Sequence, residues 1–350
     1  MFCSASLRYT FLIVICLQVF IPIKANELKL GEKYVSLTQP LQEQINDLAR
    51  NGGGTINIPT GVFIVEGIII PSNITLKGSG PNSTILALPK DSSNFLLASE
   101  SFVKNKQYSN KYGGIRDLTL KGNGSSKVKT DLLTIKSYRF TITNCVFSNS
   151  SRHGINISAQ SLNGSSNKNG FAEIRISENS FDKNLGAGVY GTNATNRGVA
   201  DVMIYANNFN ANGKVGYYQI HLERSAGFQI YANQMYAGHL GDISASKASA
   251  FFLRDNNFDG SKTIGKENEI NQVIVETSGW GTAIISGNIF HEHGKNKTQR
   301  TMLKLLTTKQ SKVIVSNNIF KSEYNSFKDI SLTEEHKKNI ILDSNLSNHR

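Results

Sequence analysis

The chain is poor in cysteine, in acidic residues and in long apolar runs, and each shortage narrows what it can be. Three cysteines occur in 350 residues, Cys3, Cys16 and Cys145. Two of them lie in the first 25 residues, so removal of that segment as a leader leaves Cys145 alone and no intrachain disulfide can form. Stability must then come from packing. Only residues 11–23 form a strongly apolar run, preceded by the single charge Arg8 and followed by Lys24 and Ala25. That run is short for a bilayer span and stands at the N-terminus, so it reads as a signal peptide over residues 1–25. Bulky Ile15 before Cys16 argues against a lipoprotein. No later stretch approaches spanning length, so the expected mature chain is one domain, 26–350, secreted or periplasmic and without a membrane span.

Asp and Glu number 26 against 38 Lys and Arg, and loss of Arg8 and Lys24 with the leader gives a mature charge of +10. A basic exported protein meets anionic polysaccharide or lipid head groups rather than nucleic acid. Lysine-rich loops can also serve only to keep an apolar fold in solution.

What the sequence does have is a repeat. An aliphatic residue, Asn three positions on, and a large apolar residue two further recur at Ile176–Asn179–Phe181, Ile204–Asn207–Phe209, Ile230–Asn233–Met235, Leu253–Asn256–Phe258, Ile285–Asn288–Phe290 and Val315–Asn318–Phe320. Cys145 takes the Asn place in Ile142–Cys145–Phe147, as a buried structural residue, and Ile341–Ser344–Leu346 reads as a weaker last copy. Apolar stretches around Ile74 to Leu76 and Ile115 to Leu120 read as divergent early copies. The copies are 23 to 34 residues apart, which is solenoid spacing.

Between copies lies a second strand with period-2 alternation: Ile155 and Ile157, Ile220 and Leu222, Ile243 and Ala245, Val273 and Val275, Leu303 and Leu305, Ile330 and Leu332. Each repeat is therefore a coil of short strands stacked about 4.8 Å from the next by parallel pairing. The Asn can bond turn backbone, tolerate a left-handed conformation and form a ladder between coils. Residues 38–50 place Leu41, Ile45 and Leu48 on one helical face, with Pro40 in the first turn and Gly52 to Gly54 as the stop. Such a helix would cover the open end of the first coil.

Residues 41–86, LQEQINDLARNGGGTINIPTGVFIVEGIIIPSNITLKGSGPNSTIL, resemble the opening of pectate-lyase-superfamily proteins in their helix, Gly-Gly-Gly-Thr, strand, Pro-x-Gly and Leu-x-Gly-x-Gly order. The resemblance implies an all-β right-handed parallel β-helix. It selects no reaction, because that scaffold carries lyases, hydrolases, epimerases and noncatalytic spikes.

On a solenoid the outward positions of one strand line up into a stripe suited to an extended polymer. With Ile220 and Leu222 inward, Gln219, His221 and Glu223 are expected to point outward, with Arg224 at the turn. The next coil offers Asp242, Ser244 and Ser246, with His239 just before; earlier coils offer His153, Asn156 and Tyr190, and later ones Glu276 and Lys304. The expected catalytic set is His221, Glu223, Arg224, Tyr190 and Asp242, with Gln219, Tyr218, Lys304, His239 and Glu276 binding substrate.

Glycoside hydrolysis needs two carboxyl groups roughly 5 to 9.5 Å apart. Polygalacturonases use a Gly-Asp-Asp run, which is incomplete here because Ile243 follows Gly241–Asp242. Counting back from Phe228 and Phe251 aligns His221 with Ser244 and Glu223 with Ser246, which leaves Asp242 distant from Glu223. Elimination or 5-epimerisation of a uronate instead needs a cation at the carboxylate, a base and an acid. Arg224 or Lys304 could be the cation, His221 the base, and Tyr190 or Tyr218 the acid. Residues 217–225, YYQIHLERS, are similar to the Asp-Pro-His-Asp-Arg-Ser strand of mannuronan epimerases in Arg224, Ser225 and the carboxylate of Glu223; the Pro is absent and the His displaced.

Calcium could replace the cation, with Glu223, Asp242 and Glu276 as ligands, but no fixed-spacing calcium loop is present. His291 and His293 flank Glu292, and two histidines without a third ligand read as loop residues rather than a zinc site. The segments 99–114, 159–171 and 291–300 interrupt the repeats and are rich in Lys, Asn and Ser. The leading expectation is a lyase or epimerase on a uronate-containing polysaccharide; a hydrolase, or a noncatalytic glycan-binding or assembly protein, are the alternatives.

Overall fold

A computed structural model describes residues 35–350 except 91, 93–94, 107–109, 125–127, 166–172, 193–198, 262–269, 294–299, 323–326, 333 and 350. The expected signal peptide, 1–25, lies outside the described residues.

Three long sheets of twelve, eleven and ten strands carry the chain, and the strands pair in parallel throughout. Each coil gives one strand to each sheet and then climbs to the next coil, which makes a right-handed parallel β-helix. The register follows the repeat residue for residue. Ile142, Ile176, Ile204, Ile230, Leu253, Ile285 and Val315 stack in the eleven-stranded sheet. Phe147, Phe181, Phe209, Met235, Phe258, Phe290 and Phe320 stack in the twelve-stranded one. Neighbouring rings in that row lie 4.6 to 5.0 Å apart, close to the strand spacing, so each aromatic ring packs on its counterpart one coil away. Ile155, Val189, Ile220, Ile243, Val273, Leu303 and Ile330 form the matching row of the ten-stranded sheet.

The asparagines form the expected ladder, buried at the corner between two sheets. Asn233 is typical: its Oδ1 accepts from the backbone N–H and Nδ2 of Asn207, and its Nδ2 donates to Ile204 O, Tyr231 O and Asn256 Oδ1. Every coil thus satisfies the corner of the next. The left-handed conformation falls elsewhere than expected. It belongs to the residue before the ladder, with φ between 50° and 67° at Asn144, Glu178, Ala206, Ala232, Asp255, Gly287, Asn317 and Ser344. The Asn is selected by its amide bonds alone.

The last copy also shifts by one. Asn345, not Ser344, accepts from the N–H and Nδ2 of Asn318, which pairs Leu342 with Val315 and Ser347 with Phe320. The ladder hydrogen bonds set this register, and they leave Leu346 outside at 65% exposure. Cys145 is buried, donates its backbone N–H to Asn179 Oδ1, and has its thiol pushed up to about 12 by burial, in keeping with a structural place.

At the N-terminal end the helix Thr38–Arg50 buries Leu41 and Ile45 against the first coil. Its Gln42 imitates a strand: Oε1 accepts from Ile69 N–H at 2.7 Å and Nε2 donates to Ile69 O at 3.1 Å. The edge of the ten-stranded sheet is thereby closed to further pairing.

Candidate functional site

The outward row of the ten-stranded sheet runs Thr134, Asn156, Tyr190, His221, Ser244, Ile274, Lys304. His221 opposes Ser244, as the counting from Phe228 and Phe251 requires. Around Tyr190 and His221 the row becomes a cluster. The Tyr190 ring lies flat against His153 at 4.2 Å, while Tyr217 meets His153 edge-on at 4.8 Å and His221 at 5.3 Å. The Tyr190 and His221 rings are 5.7 Å apart, and Tyr218 is 6.2 Å from His221.

Beneath this aromatic layer is an ion pair. Asp131 is fully buried and accepts from Arg152 Nε at 2.6 Å and from a second guanidinium nitrogen, as well as from His153 N–H and Asn156 Nδ2. Burial works against its charge, but the hydrogen bonds and charge of the Arg152 guanidinium, with the Asn156 amide, outweigh it, so its carboxyl is held below the ordinary range. The fork geometry fixes Arg152 while leaving part of its guanidinium open to solvent. Neither Asp131 nor Arg152 is in the set expected from sequence. Arg152 could have been found from its place directly before His153; Asp131 precedes an inward strand and carries no outward signature.

The titration states of the cluster are fixed by its surroundings. His153 Nδ1 accepts from Ala187 N–H at 3.0 Å, and burial pushes its pKa down to about 4, so the ring is neutral and carries its proton on Nε2. His221 is likewise shifted down by burial, against the pull of Glu223, and its Nδ1 is buried with no hydrogen-bond partner among the described residues. Tyr190 moves the other way: burial and the hydrogen bond it donates to Glu223 raise its pKa, so the phenol keeps its proton. A neutral imidazole therefore stands beside a protonated phenol on adjacent strands.

Two expected residues are elsewhere. Gln219 and Asp242 are fully buried and point inward. They stand at the corner just before the strands Ile220–Leu222 and Ile243–Ala248, where the chain turns and period-2 alternation no longer holds. Gln219 donates to Asp242 Oδ1 at 2.7 Å and accepts from Asn212 Nδ2, an interior polar chain. Burial raises the Asp242 carboxyl to about 8 against the Gln219 hydrogen bond, so it is neutral at pH 7. Gly238 and Gly241 leave room for this corner: a Cβ on Gly241 would lie 2.5 Å from the Tyr218 ring, and one on Gly238 2.9 Å from Asp242 Oδ1.

Tyr218 is 7% exposed and contributes an edge rather than a face to the cluster. Glu223, Arg224, His239 and Lys304 are half-buried and Glu276 is exposed. The three possible calcium ligands do not converge, since Asp242 faces the interior while Glu223 and Glu276 stand on strands separated by a third. Among the described residues, no helix is long and apolar enough to cross a membrane.

No family model matches the chain, and no curated protein matches it in sequence. Solved structures do match it in shape. A tailspike protein mutant of E. coli bacteriophage HK620, in complex with pentasaccharide, aligns with TM-score 0.62 at 16% identity over 90% of this chain and 60% of that one. ORF18 of Geobacillus virus E2 aligns with TM-score 0.56 at 14% identity over 90% and 59%. The A-module of the Azotobacter vinelandii mannuronan C-5 epimerase AlgE4 aligns with TM-score 0.55 at 14% identity over 91% and 93%. The chain thus spans about three fifths of the two viral proteins and nearly all of the epimerase module. At these identities the likeness is one of fold, and the fold shared is the parallel β-helix.

Proposed function

We propose that the protein is an exported, polysaccharide-active member of the pectate-lyase-like β-helix proteins, and that it eliminates or epimerises a uronate-containing glycan. The observation that carries this reading is the pairing of neutral His221 with protonated Tyr190 across adjacent strands. Abstraction of the proton beside a uronate carboxylate needs a base that is unprotonated at working pH, which for an imidazole is the neutral form. His221 is that base. Arg152 or Arg224 meets the carboxylate and takes up charge as the carbanion develops. Tyr190 returns a proton, to the leaving oxygen in elimination or to the opposite face of the carbon in epimerisation. Its raised pKa makes it give up that proton only to a strongly basic centre, which the departing alkoxide or the carbanion is. The +10 charge expected of the mature chain supports an anionic polymer, and the printed descriptions of the neighbours, a tailspike with pentasaccharide and a mannuronan epimerase, support a glycan.

A hydrolase remains the second reading, on a different pair of residues than Gly241–Asp242 suggests. Glu223 and Glu276 each stand one place beyond residues matched through Ala245, two strands apart. Two strand spacings are about 9.6 Å, near the upper limit of roughly 9.5 Å for an inverting carboxyl pair.

One experiment separates the readings. Purified mature protein is incubated with uronate polymers and neutral glycans while absorbance near 235 nm, reducing ends and hydrogen exchange at carbon 5 are followed. Unsaturated absorbance marks elimination, and exchange without chain cleavage marks epimerisation. Reducing ends without absorbance overturn the His221–Tyr190 reading in favour of the two glutamates, and silence across a broad panel reduces the protein to a glycan-binding or assembly role.

A further inference from the structure

Outside the His221 cluster, on the outer face of a different sheet, three side chains from two neighbouring strands converge. We propose that Asp259, His291 and His293 form a transition-metal site, with zinc the ion their donors suit best. The strands Asn257–Ser261 and Ile289–Glu292 are neighbours in the twelve-stranded sheet, and with Phe258 and Phe290 stacked inward, Asp259 and His291 face outward in register. His293, two residues on, returns to the same face, while Glu292 between them is buried. One ligand atom from each of the three residues lies within 4.8 Å of the other two, and this is the only such group of three among the described residues.

The geometry is close to that of a bound ion. Donors on a tetrahedral zinc with bonds near 2.0–2.1 Å lie about 3.3 Å apart. Asp259 Oδ1 is 3.6 Å from His291 Nδ1 and 2.5 Å from His293 Nε2, so the separations bracket that value. Zinc entry requires His293 to withdraw by less than about 1 Å. His293 stands one residue past the end of its strand, with its side chain 46% exposed. The two imidazole rings are 3.7 Å apart, a separation at which a shared cation satisfies both and two protonated rings would repel.

Donor chemistry selects the ion. Two imidazoles and one carboxylate suit zinc, nickel or copper, whereas calcium calls for six to eight oxygens. Three protein ligands leave a fourth position for water. In the same outward row Tyr236 precedes Asp259 and Lys321 follows His291. Lys321 is exposed, and its flexible stem can carry the ammonium away from an arriving cation. The ion would join two consecutive coils at the ends from which residues 262–269 and 294–299 depart.

The test uses the mature protein without a polyhistidine tag, stripped with chelator and titrated with zinc chloride at pH 7.5. One zinc per chain is expected, with a rise in Tm. His291→Ala and His293→Ala should each weaken binding by at least about tenfold, as loss of a direct ligand must exceed the effect of its outer-shell partners, and the double variant should bind no stoichiometric zinc. The metal-free Tm of His293→Gln, at the exposed strand end, should equal that of the wild type, which separates loss of ligand from loss of fold. No stoichiometric zinc in the wild type, or undiminished zinc in the double variant, overturns the site.

Discussion

The asparagine ladder, at the corner between the eleven- and twelve-stranded sheets, and the outward row of the ten-stranded sheet climb the same coils and obey opposite rules. Asn179, Asn207, Asn233, Asn256, Asn288, Asn318 and Asn345 repeat one residue because each coil presents the same corner to the next. Thr134, Asn156, Tyr190, His221, Ser244, Ile274 and Lys304 repeat nothing. In a solenoid, repetition marks what the neighbouring coil demands, and its absence marks positions that coil stacking leaves open to other roles, whether bonding the buried Asp131, as Thr134 and Asn156 do, or meeting something outside the chain. The contrast can be broken at several points.

The largest loss of stability is expected inside the aromatic row. Phe209 is fully buried, with Phe181 stacked 4.6 Å away and Met235 on its other side. Phe209→Ala should cost about 3 to 5 kcal/mol, read by denaturant unfolding, because neighbouring coils cannot close the cavity without giving up their own register. A cost below about 1 kcal/mol would mean that the rings do not stack inside.

Asp242 tests whether an interior polar position can be told from an outward one by pH alone. Folded, it keeps its proton up to about pH 8; unfolded, it ionises near its ordinary value of about 4. Between those values the folded chain binds more protons, so this residue's contribution to stability falls as pH rises through the window. Asp242→Asn preserves the shape and has no proton to lose. Its Tm should therefore gain on the wild type progressively from about pH 4 to pH 8 and stay level above that. A difference that is flat with pH would place the Asp242 carboxyl in solvent.

The ladder gives a smaller effect. Asn233→Ala removes the acceptor for the Asn207 N–H and the donor to Ile204 O, leaving buried groups unpaired at a cost of about 1 to 3 kcal/mol. Ala232→Gly, at the left-handed residue before it, should raise stability slightly, since φ is 54° there and glycine adopts that conformation without strain. Thermal unfolding of the two variants checks both signs.

These positions also show what could be read from the sequence. Phe209 and the aliphatic rows were legible because a buried parallel coil imposes period-2 alternation and a fixed offset to its Asn. The register error at Ser344 arose because Asn and Ser both serve turns, and only the ladder bond to Asn318 decides between them. Gln219 and Asp242 were misplaced because alternation counts faces within a strand and says nothing of a corner. The ion pair Asp131–Arg152 joins residues 21 positions apart across consecutive coils. Nothing periodic announces it. Asp259 and His291 are likewise joined only by register, so the two histidines read as loop residues until the strand beside them is known.

A small change in stability should accompany the largest change in function. His221 Nδ1 makes no hydrogen bond among the described residues, so the main loss in His221→Ala is the packing of a half-buried ring on Tyr190, Tyr217 and Tyr218, at a cost of about 1 kcal/mol. Turnover of a uronate polymer, or binding if there is no turnover, should nevertheless disappear. Tyr190→Phe should abolish turnover yet retain binding, because the ring stays against His153 and only the proton is removed. Lys304, two strands past Ser244 in the same row, can act only through long-range attraction. Lys304→Ala should weaken affinity less than His221→Ala, and its deficit should shrink as salt shortens the reach of that attraction to about 3 Å at 1 M. If His221→Ala and Tyr190→Phe are both fully active, and glycan affinity follows the lysines of residues 99–114 instead, the site leaves this row. The unrepeated positions would then be merely solvated, and the contrast with the ladder would carry no function.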